Sequence, residues 1–214
     1  MATRADGLLV SVDGPGGVGK TTTIEHLTRI LTGAGLLVHR TAQPSASPIG
    51  ALARDLVPTA CGATLACLFA ADRYHHLDTE IRPRLAAGHI VLCDRYLASG
   101  LVVQCADGLD LAFLAGINAH ADPPDLAVIL TADPDTIARR IAKRGAHNRY
   151  QDGTAQAAAE ITYYSQAATL LLHSGAPVLR IDTTHNPPNR VAVMIAAELG
   201  SIRRAAPATP SRAA

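Results

Sequence analysis

Short apolar runs alternate with stretches of helical spacing along the chain. The runs near 8–12, 36–41, 90–94, 126–131 and 178–182 predict buried strands. Helical spacing falls between them, near 20–33, 48–57, 63–87, 110–120, 134–144, 155–174 and 187–199. In the first of these helices, Ile24, Leu27, Ile30 and Leu31 share one face. Strands that alternate with helices imply a parallel sheet covered on both sides, a doubly wound α/β fold of five strands. Ligands then collect at the carboxyl ends of the strands. Pro83 predicts a kink or a break in the long third helix. The polar run Arg144-Gly145-Ala146-His147-Asn148-Arg149 is expected to be a mobile loop. Residues 1–200 are expected to form a single domain, and 201–214, rich in Ala, Pro, Ser and Thr, a disordered tail.

The junction between the first strand and the first helix carries chemistry. Residues 14–21 read Gly-Pro-Gly-Gly-Val-Gly-Lys-Thr, the G-x-x-x-x-G-K-[ST] pattern of a phosphate-cradling loop. Glycines let the backbone bend round a polyphosphate with its N–H groups inward, and the helix dipole adds to the anion site. Gly14, Pro15, Gly16, Gly17, Val18, Gly19, Lys20, Thr21 and Thr22 are therefore expected to bind ATP. Lys20 would meet the β/γ-phosphates and the Thr21 hydroxyl Mg²⁺. Together these make the fold a P-loop NTPase.

At the end of the third strand stands Asp94-Arg95-Tyr96. An acid at a strand tip beside such a loop holds Mg²⁺, directly or through water, and Arg95 offers a planar fork to a phosphate. Phe69 and Arg73, four apart on a helix, share a face. An aromatic ring beside a guanidinium stacks a base and grips its phosphate, although spacing alone favours a core Phe and a surface Arg.

Composition narrows the partners. The chain has 214 residues, 48 % of them apolar, and a formal net charge of +1. That is enough for one full core and too little positive charge for a nucleic-acid binder that relies on bulk electrostatics. No apolar run reaches the length of a membrane span. The first strand follows the N-terminus directly, without room for a signal peptide. The four cysteines, Cys61, Cys67, Cys93 and Cys105, form no C-x-x-C pair. Cys67 and Cys93 are expected in the core, in a reduced cytoplasmic protein. His75-His76 lacks partners at ligand spacing and is expected on the surface or beside the substrate.

Taken in order, these pieces resemble the thymidylate kinase family. The resemblance runs from about residue 8 to 199. It rests on Gly14–Thr22, on Leu68-Phe69-Ala70-Ala71-Asp72-Arg73, on Pro83 with Gly88, and on Cys93-Asp94-Arg95-Tyr96 with Ser99 and Gln104. It continues through Pro124-Asp125-Leu126, Asp133-Pro134-Asp135 and Arg139-Arg140-Ile141-Ala142-Lys143-Arg144-Gly145, and ends with Asn148-Arg149-Tyr150 and Tyr164. It implies transfer of the γ-phosphate of ATP to a deoxynucleoside monophosphate, dTMP or a related pyrimidine nucleotide. It also implies that Phe69 stacks on the base and Arg73 sits at the base or its phosphate. Arg95 would grip the acceptor phosphate, Ser99 and Gln104 would line the base edge, and Tyr164 would approach the sugar. Arg140 would serve the ATP side. A lid over about 144–153 would bring Arg144 and Arg149 onto the transferring group, while Arg139 and Lys143 stay solvated. A homodimer through the helices after the first three strands is implied too, with Ala66, Leu68 and Ala70 suited to close helix packing.

Four positions depart from the family's pattern. Gly16 stands where an acid normally faces the acceptor sugar, and Ala42-Gln43-Pro44-Ser45 replaces Arg-Glu-Pro-Gly. Val102-Val103-Gln104 replaces Ala-Tyr-Gln, and Asn148-Arg149 replaces Asp-Arg in the lid. The first three touch the acceptor side, where lost hydrogen-bond partners alter discrimination. A modified or different nucleotide, a nucleoside or other small hydroxylated metabolite, and a nucleotide-binding module without catalysis all stay open as alternatives. A DNA-stimulated ATPase fits less well, for want of a basic stripe.

Overall fold

The computed structural model describes residues 7–144 and 153–205, without the side chains of 103–106, 144, 153, 156 and 205. Five strands form one sheet: β1 (Leu8–Asp13), β2 (Val38–Ala42), β3 (Ile90–Asp94), β4 (Leu126–Thr131) and β5 (Val178–Asp182). Their order is β2-β3-β1-β4-β5, with every pairing parallel. Near-continuous apolar runs form β1, β3 and β4 because these strands are covered on both faces. All five expected strands are present. β2 starts two residues later than its apolar run suggests, because Leu36 and Leu37 lead into the strand rather than pairing in it.

The helices are α1 (Lys20–Gly33), α2 (Pro48–Leu56), α3 (Gly62–His76), α4 (Arg82–Ala86), α5 (Leu97–Ala106), α6 (Leu111–Ile117), α7 (Pro134–Arg144), α8 (Gly153–His173) and α9 (Pro188–Ala205). The two-residue period of β1 splits the core. Val10 and Val12 pack with Ile24, Leu27, Ile137, Ile141, Val191 and Ile195 of α1, α7 and α9. On the other face, Leu9, Val91 and Cys93 meet Leu77, Ile81, Leu85 and Tyr96. There too Ala127 and Ile129 meet Ala98, Tyr164, Ala168 and Leu171 of α5 and α8. By the same parity Asp13, at the C-terminal tip of β1, points towards α5.

Pro83 does divide the long helix, by a π-helical turn over Leu77–Ile81 between α3 and α4. The Arg82 N–H reaches back to the Leu77 carbonyl, five residues earlier, the wider turn of a π-helix. Helix α5 has no counterpart among the expected elements. It is buried against the sheet and α8, with Ala98, Ser99, Gly100 and Val102 all enclosed, so it shows no polar face by which periodicity is recognised. Helix α9 runs to Ala205, beyond the end expected for it and into the stretch read as a tail. Residues 206–214 and most of the proposed lid lie outside the described residues.

Two expectations are corrected. Cys67 is exposed, on the outer face of α3, while Cys93 is buried as expected. His76 is neither at the surface nor open to a substrate: it is 1 % exposed. Its Nε2 lies 2.7 Å from the Thr41 hydroxyl, and its Nδ1 3.3 Å from the Gln43 amide nitrogen. Ala66 and Ala70 are buried within the chain itself, so their small size serves packing inside the protomer.

Candidate active site

The chain leaves β1 at Asp13 and turns sharply into α1. Gly14 has φ 144°, and a Cβ there would lie 2.4 Å from the Leu130 carbonyl oxygen. Gly19, the residue before α1, has φ 101°. Both positions demand glycine. The turn opens on a cleft of about 540 Å³ lined by Gly16 to Thr23, Asp94, Arg95, Arg140, Thr183, Asn186, Pro188 and Val191. The cleft lies at the carboxyl ends of β1 and β3, from which the chain departs in opposite directions across the sheet. An open α/β sheet gathers ligands at such a point.

Lys20 is buried, and its Nζ donates to the carbonyl oxygens of Gly14 and Pro15, at 2.8 and 2.9 Å. Burial, and then the nearby Arg95 cation, pull its pKa down to about 7, against Asp94, Glu160 and Asp13. The ammonium thus sits folded onto the loop it serves. The Thr21 hydroxyl donates to Asp94 Oδ2 at 2.8 Å. A hydroxyl and a carboxylate oxygen side by side at the cleft wall suit Mg²⁺, which takes hard oxygen ligands and draws the rest from water and phosphate. Among the described residues no cluster of three or more His, Cys, Asp or Glu forms a metal cage, and that two-ligand chemistry requires none.

Arg95 takes φ 70°, rare for a side-chain-bearing residue. Asp13 explains how the turn is held. It is fully buried, and its Oδ1 accepts from the N–H groups of Tyr96 and Ser99 at 2.9 and 3.0 Å and from the Ser99 hydroxyl at 2.7 Å. The Ser99 hydroxyl lies 2.9 Å from the Tyr164 hydroxyl, and Arg95 Nη1 donates to Tyr164 at 3.1 Å. Burial, opposed by Arg95, raises the Tyr164 phenol to about 12, so it stays neutral. Ser99 and Tyr164 are therefore built into the support of Arg95. Asp13 Oδ2 is buried without a hydrogen bond among the described residues.

Arg73 is 3 % exposed. Its Nε donates to Gln43 Oε1 at 3.1 Å, Nη1 to Asn118 Oδ1, and Nη2 to the Tyr96 carbonyl at 3.4 Å. The guanidinium carbon stands 5.6 Å from the centre of the Tyr96 ring, a cation–π contact. Gly100 makes room, since a Cβ there would come within 2.8 Å of Arg73 Nη2. Phe69 lies four residues before Arg73 in α3, half-buried. On the opposite wall Arg140 donates to the Thr183 carbonyl at 2.9 Å, to its hydroxyl at 3.1 Å, and to the Val18 carbonyl at 3.5 Å. It ties the loop to the end of β5. The side chains of Gln104 and Arg144, and Arg149 altogether, lie outside the described residues.

Sequence reading passed over several residues that the fold brings here. Asp13 precedes the loop motif and resembles an ordinary strand end. Thr183 and Asn186 reach the cleft from beyond β5, and no local pattern marks them or Asn118. Glu160 did leave a signal, as the one acid in an alanine-rich helix and one turn before Tyr164. Its Oε2 accepts from the Gly16 N–H at 3.2 Å. Burial raises its pKa, opposed by that bond, Arg95 and Lys20.

Comparison with known proteins agrees with this geometry. The family model described as thymidylate kinase matches residues 12–194. A probable thymidylate kinase of Caldivirga maquilingensis is 35 % identical over 155 residues, covering 69 % of this chain and 74 % of its own. One of Pyrobaculum aerophilum is 37 % identical over 147 residues, covering 66 % and 73 %. The thymidylate kinase of Xanthomonas oryzae pv. oryzae is 39 % identical over 144 residues, covering 66 % and 63 %. With the glycine loop, the Asp94–Thr21 pair and Arg95 set round one cleft, the chain belongs to the thymidylate kinase family.

Proposed function

We propose that this protein is a nucleoside monophosphate kinase that transfers the γ-phosphate of ATP to dTMP, giving dTDP and ADP. The observation that carries the reading is the meeting of three groups at one cleft: the loop with Lys20, the Thr21–Asp94 pair, and Arg95. They supply in one place the charge compensation and alignment that phosphoryl transfer requires of a protein.

ATP would lie along Gly14–Thr22 with its base towards Asn186 and Val191, and Arg140 would brace that wall. Lys20 would leave the Gly14 and Pro15 carbonyls for the β/γ-phosphates. Thr21 and Asp94 would hold Mg²⁺, which neutralises charge on the donor phosphates when bound. Arg95 would align the acceptor phosphate, with Phe69 against the base, Arg73 beside it, and Gln104 at its edge. Ser99 and Tyr164 would act through Arg95, and Arg144 and Arg149 would come from the lid onto the transferring group.

No helix among the described residues is long and apolar enough to cross a membrane. We take the enzyme to be cytoplasmic and a homodimer through the helices that follow the first three strands. Sedimentation at a mass near twice 22.3 kDa is expected.

An ATP-coupled panel of dTMP, dUMP, base-modified monophosphates and free nucleosides tests the function. dTMP should be the best acceptor. Transfer only to a free nucleoside would overturn the reading, and so would MgATP binding without product from any acceptor.

A further inference from the structure

Glu160 is a charged side chain held against the phosphate loop that none of the roles above employs. Helix α8 carries it one turn before Tyr164, so both point from the same face towards Arg95. One carboxylate oxygen is fixed by the Gly16 N–H. Among the described residues the other oxygen accepts no hydrogen bond. A half-buried carboxylate in this state takes up a hydrogen-bond donor and repels a phosphate. Lys20 and Arg95, whose charges both act on it, are the groups between which donor and acceptor phosphates meet. An acceptor whose phosphate is held by Arg95 therefore presents its sugar, a few ångströms from that phosphate, to Glu160. The hydroxyl of that sugar is the donor the carboxylate lacks.

We propose that Glu160 is a specificity-determining residue that accepts a hydrogen bond from the free sugar hydroxyl of the acceptor nucleotide. It acts from α8, held by the Gly16 N–H. This assignment rests on the kinase reading given above.

The test measures kcat/KM at saturating MgATP for dTMP and for its 3′-deoxy analogue, together with KM for ATP. A hydrogen bond to an ionised carboxylate contributes about 10- to 100-fold, so wild-type enzyme should prefer dTMP by at least that factor. Glu160→Ala should bring the ratio close to unity and leave KM for ATP within about twofold. Glu160→Gln keeps shape and an acceptor oxygen, should lose about half of the preference on a logarithmic scale, and carries the test if the alanine variant does not fold. A ratio unchanged in both variants, or a rise confined to KM for ATP, means that Glu160 only braces the loop, and overturns the assignment while the kinase reading stands. Wild-type enzyme that phosphorylates neither acceptor overturns both.

Discussion

Lys20 provides a measurable link between nucleotide and protons. In the free protein its ammonium is buried and its pKa lies at about 7, first through desolvation and then through Arg95. Binding a triphosphate tail would replace two neutral carbonyl partners with anionic oxygens. That restores the ordinary Lys value of 10.5 or exceeds it. At pH 8 the free protein then holds about a tenth of a proton on Lys20 and the complex nearly a whole one, so MgATP binding takes up about 0.9 proton. Affinity should fall about tenfold per pH unit, or about 1.4 kcal/mol, between pH 8 and 10, and flatten below pH 7. The same displacement affects folding with the opposite preference. The unfolded chain binds the extra proton between about 7 and 10.5, so Lys20 makes the nucleotide-free protein more stable as pH rises through that window. Calorimetric titration at pH 8 in two buffers of different ionisation enthalpy gives the proton count directly, and Lys20→Ala subtracts every other group. No Lys20-dependent uptake at pH 8 would refute the reasoning: the ammonium would already be charged before nucleotide arrives.

Three further outcomes follow from contacts around Arg73, Arg95 and the lid. Gly100→Ala places a Cβ within 2.8 Å of Arg73 Nη2, and steady-state kinetics should show KM for dTMP raised about tenfold, the worth of one bond to a charged group; an unchanged KM would detach Arg73 from the acceptor. Asp13→Ala orphans the buried N–H groups of Tyr96 and Ser99, at about 1–3 kcal/mol each, so urea unfolding should register a loss of at least about 2 kcal/mol. Arg149→Ala should lower kcat by about 10³-fold while leaving the calorimetric Kd for ATP within twofold, and an unaltered kcat would remove Arg149 from the transfer step.

The central strands were legible because they are covered on both faces, which writes them as near-continuous apolar runs such as Leu8–Val12, interrupted by Ser11, and Leu126–Leu130. The phosphate loop was legible because its constraints are local: Gly14 and Gly19 need conformations that few residues besides glycine adopt. Helix α5 was not, since Leu97 to Val102 is apolar or small throughout, with Ala98, Ser99, Gly100 and Val102 enclosed, which leaves no amphipathic pattern to mark a helix. Spacing alone disfavoured Arg73 as a site residue, because a guanidinium enclosed by Gln43, Asn118, and Tyr96 with Gly100 depends on three separate segments. Cys67 and His76 went astray through a shared cause. Both sit on α3 among apolar and polar neighbours whose facing is settled by Thr41 and Gln43 across the sheet edge, not by the period of the helix itself.

The altered acids of this chain acquire a common logic once the cations are located. Lys20 and Arg95 line one cleft and Arg73 is buried behind Tyr96, and buried charges require compensation. Lys20 and Arg95 receive it from Asp13, Asp94 and Glu160, three carboxylates delivered by β1, β3 and α8. Arg73 is treated differently. Gln43 accepts its Nε proton with a neutral oxygen, and Asn118 does the same at Nη1. Its charge is tempered by the face of Tyr96 and, without direct contact, by Asp13 and Asp72. A glutamate at 43 would satisfy the guanidinium outright and lower its attraction for an incoming anion. Gln43 orients the group without neutralising it. With Gly at 16 and Gln at 43, the carboxylate that reaches the phosphate loop from outside the strands is that of Glu160, whose Oε2 accepts from the Gly16 N–H.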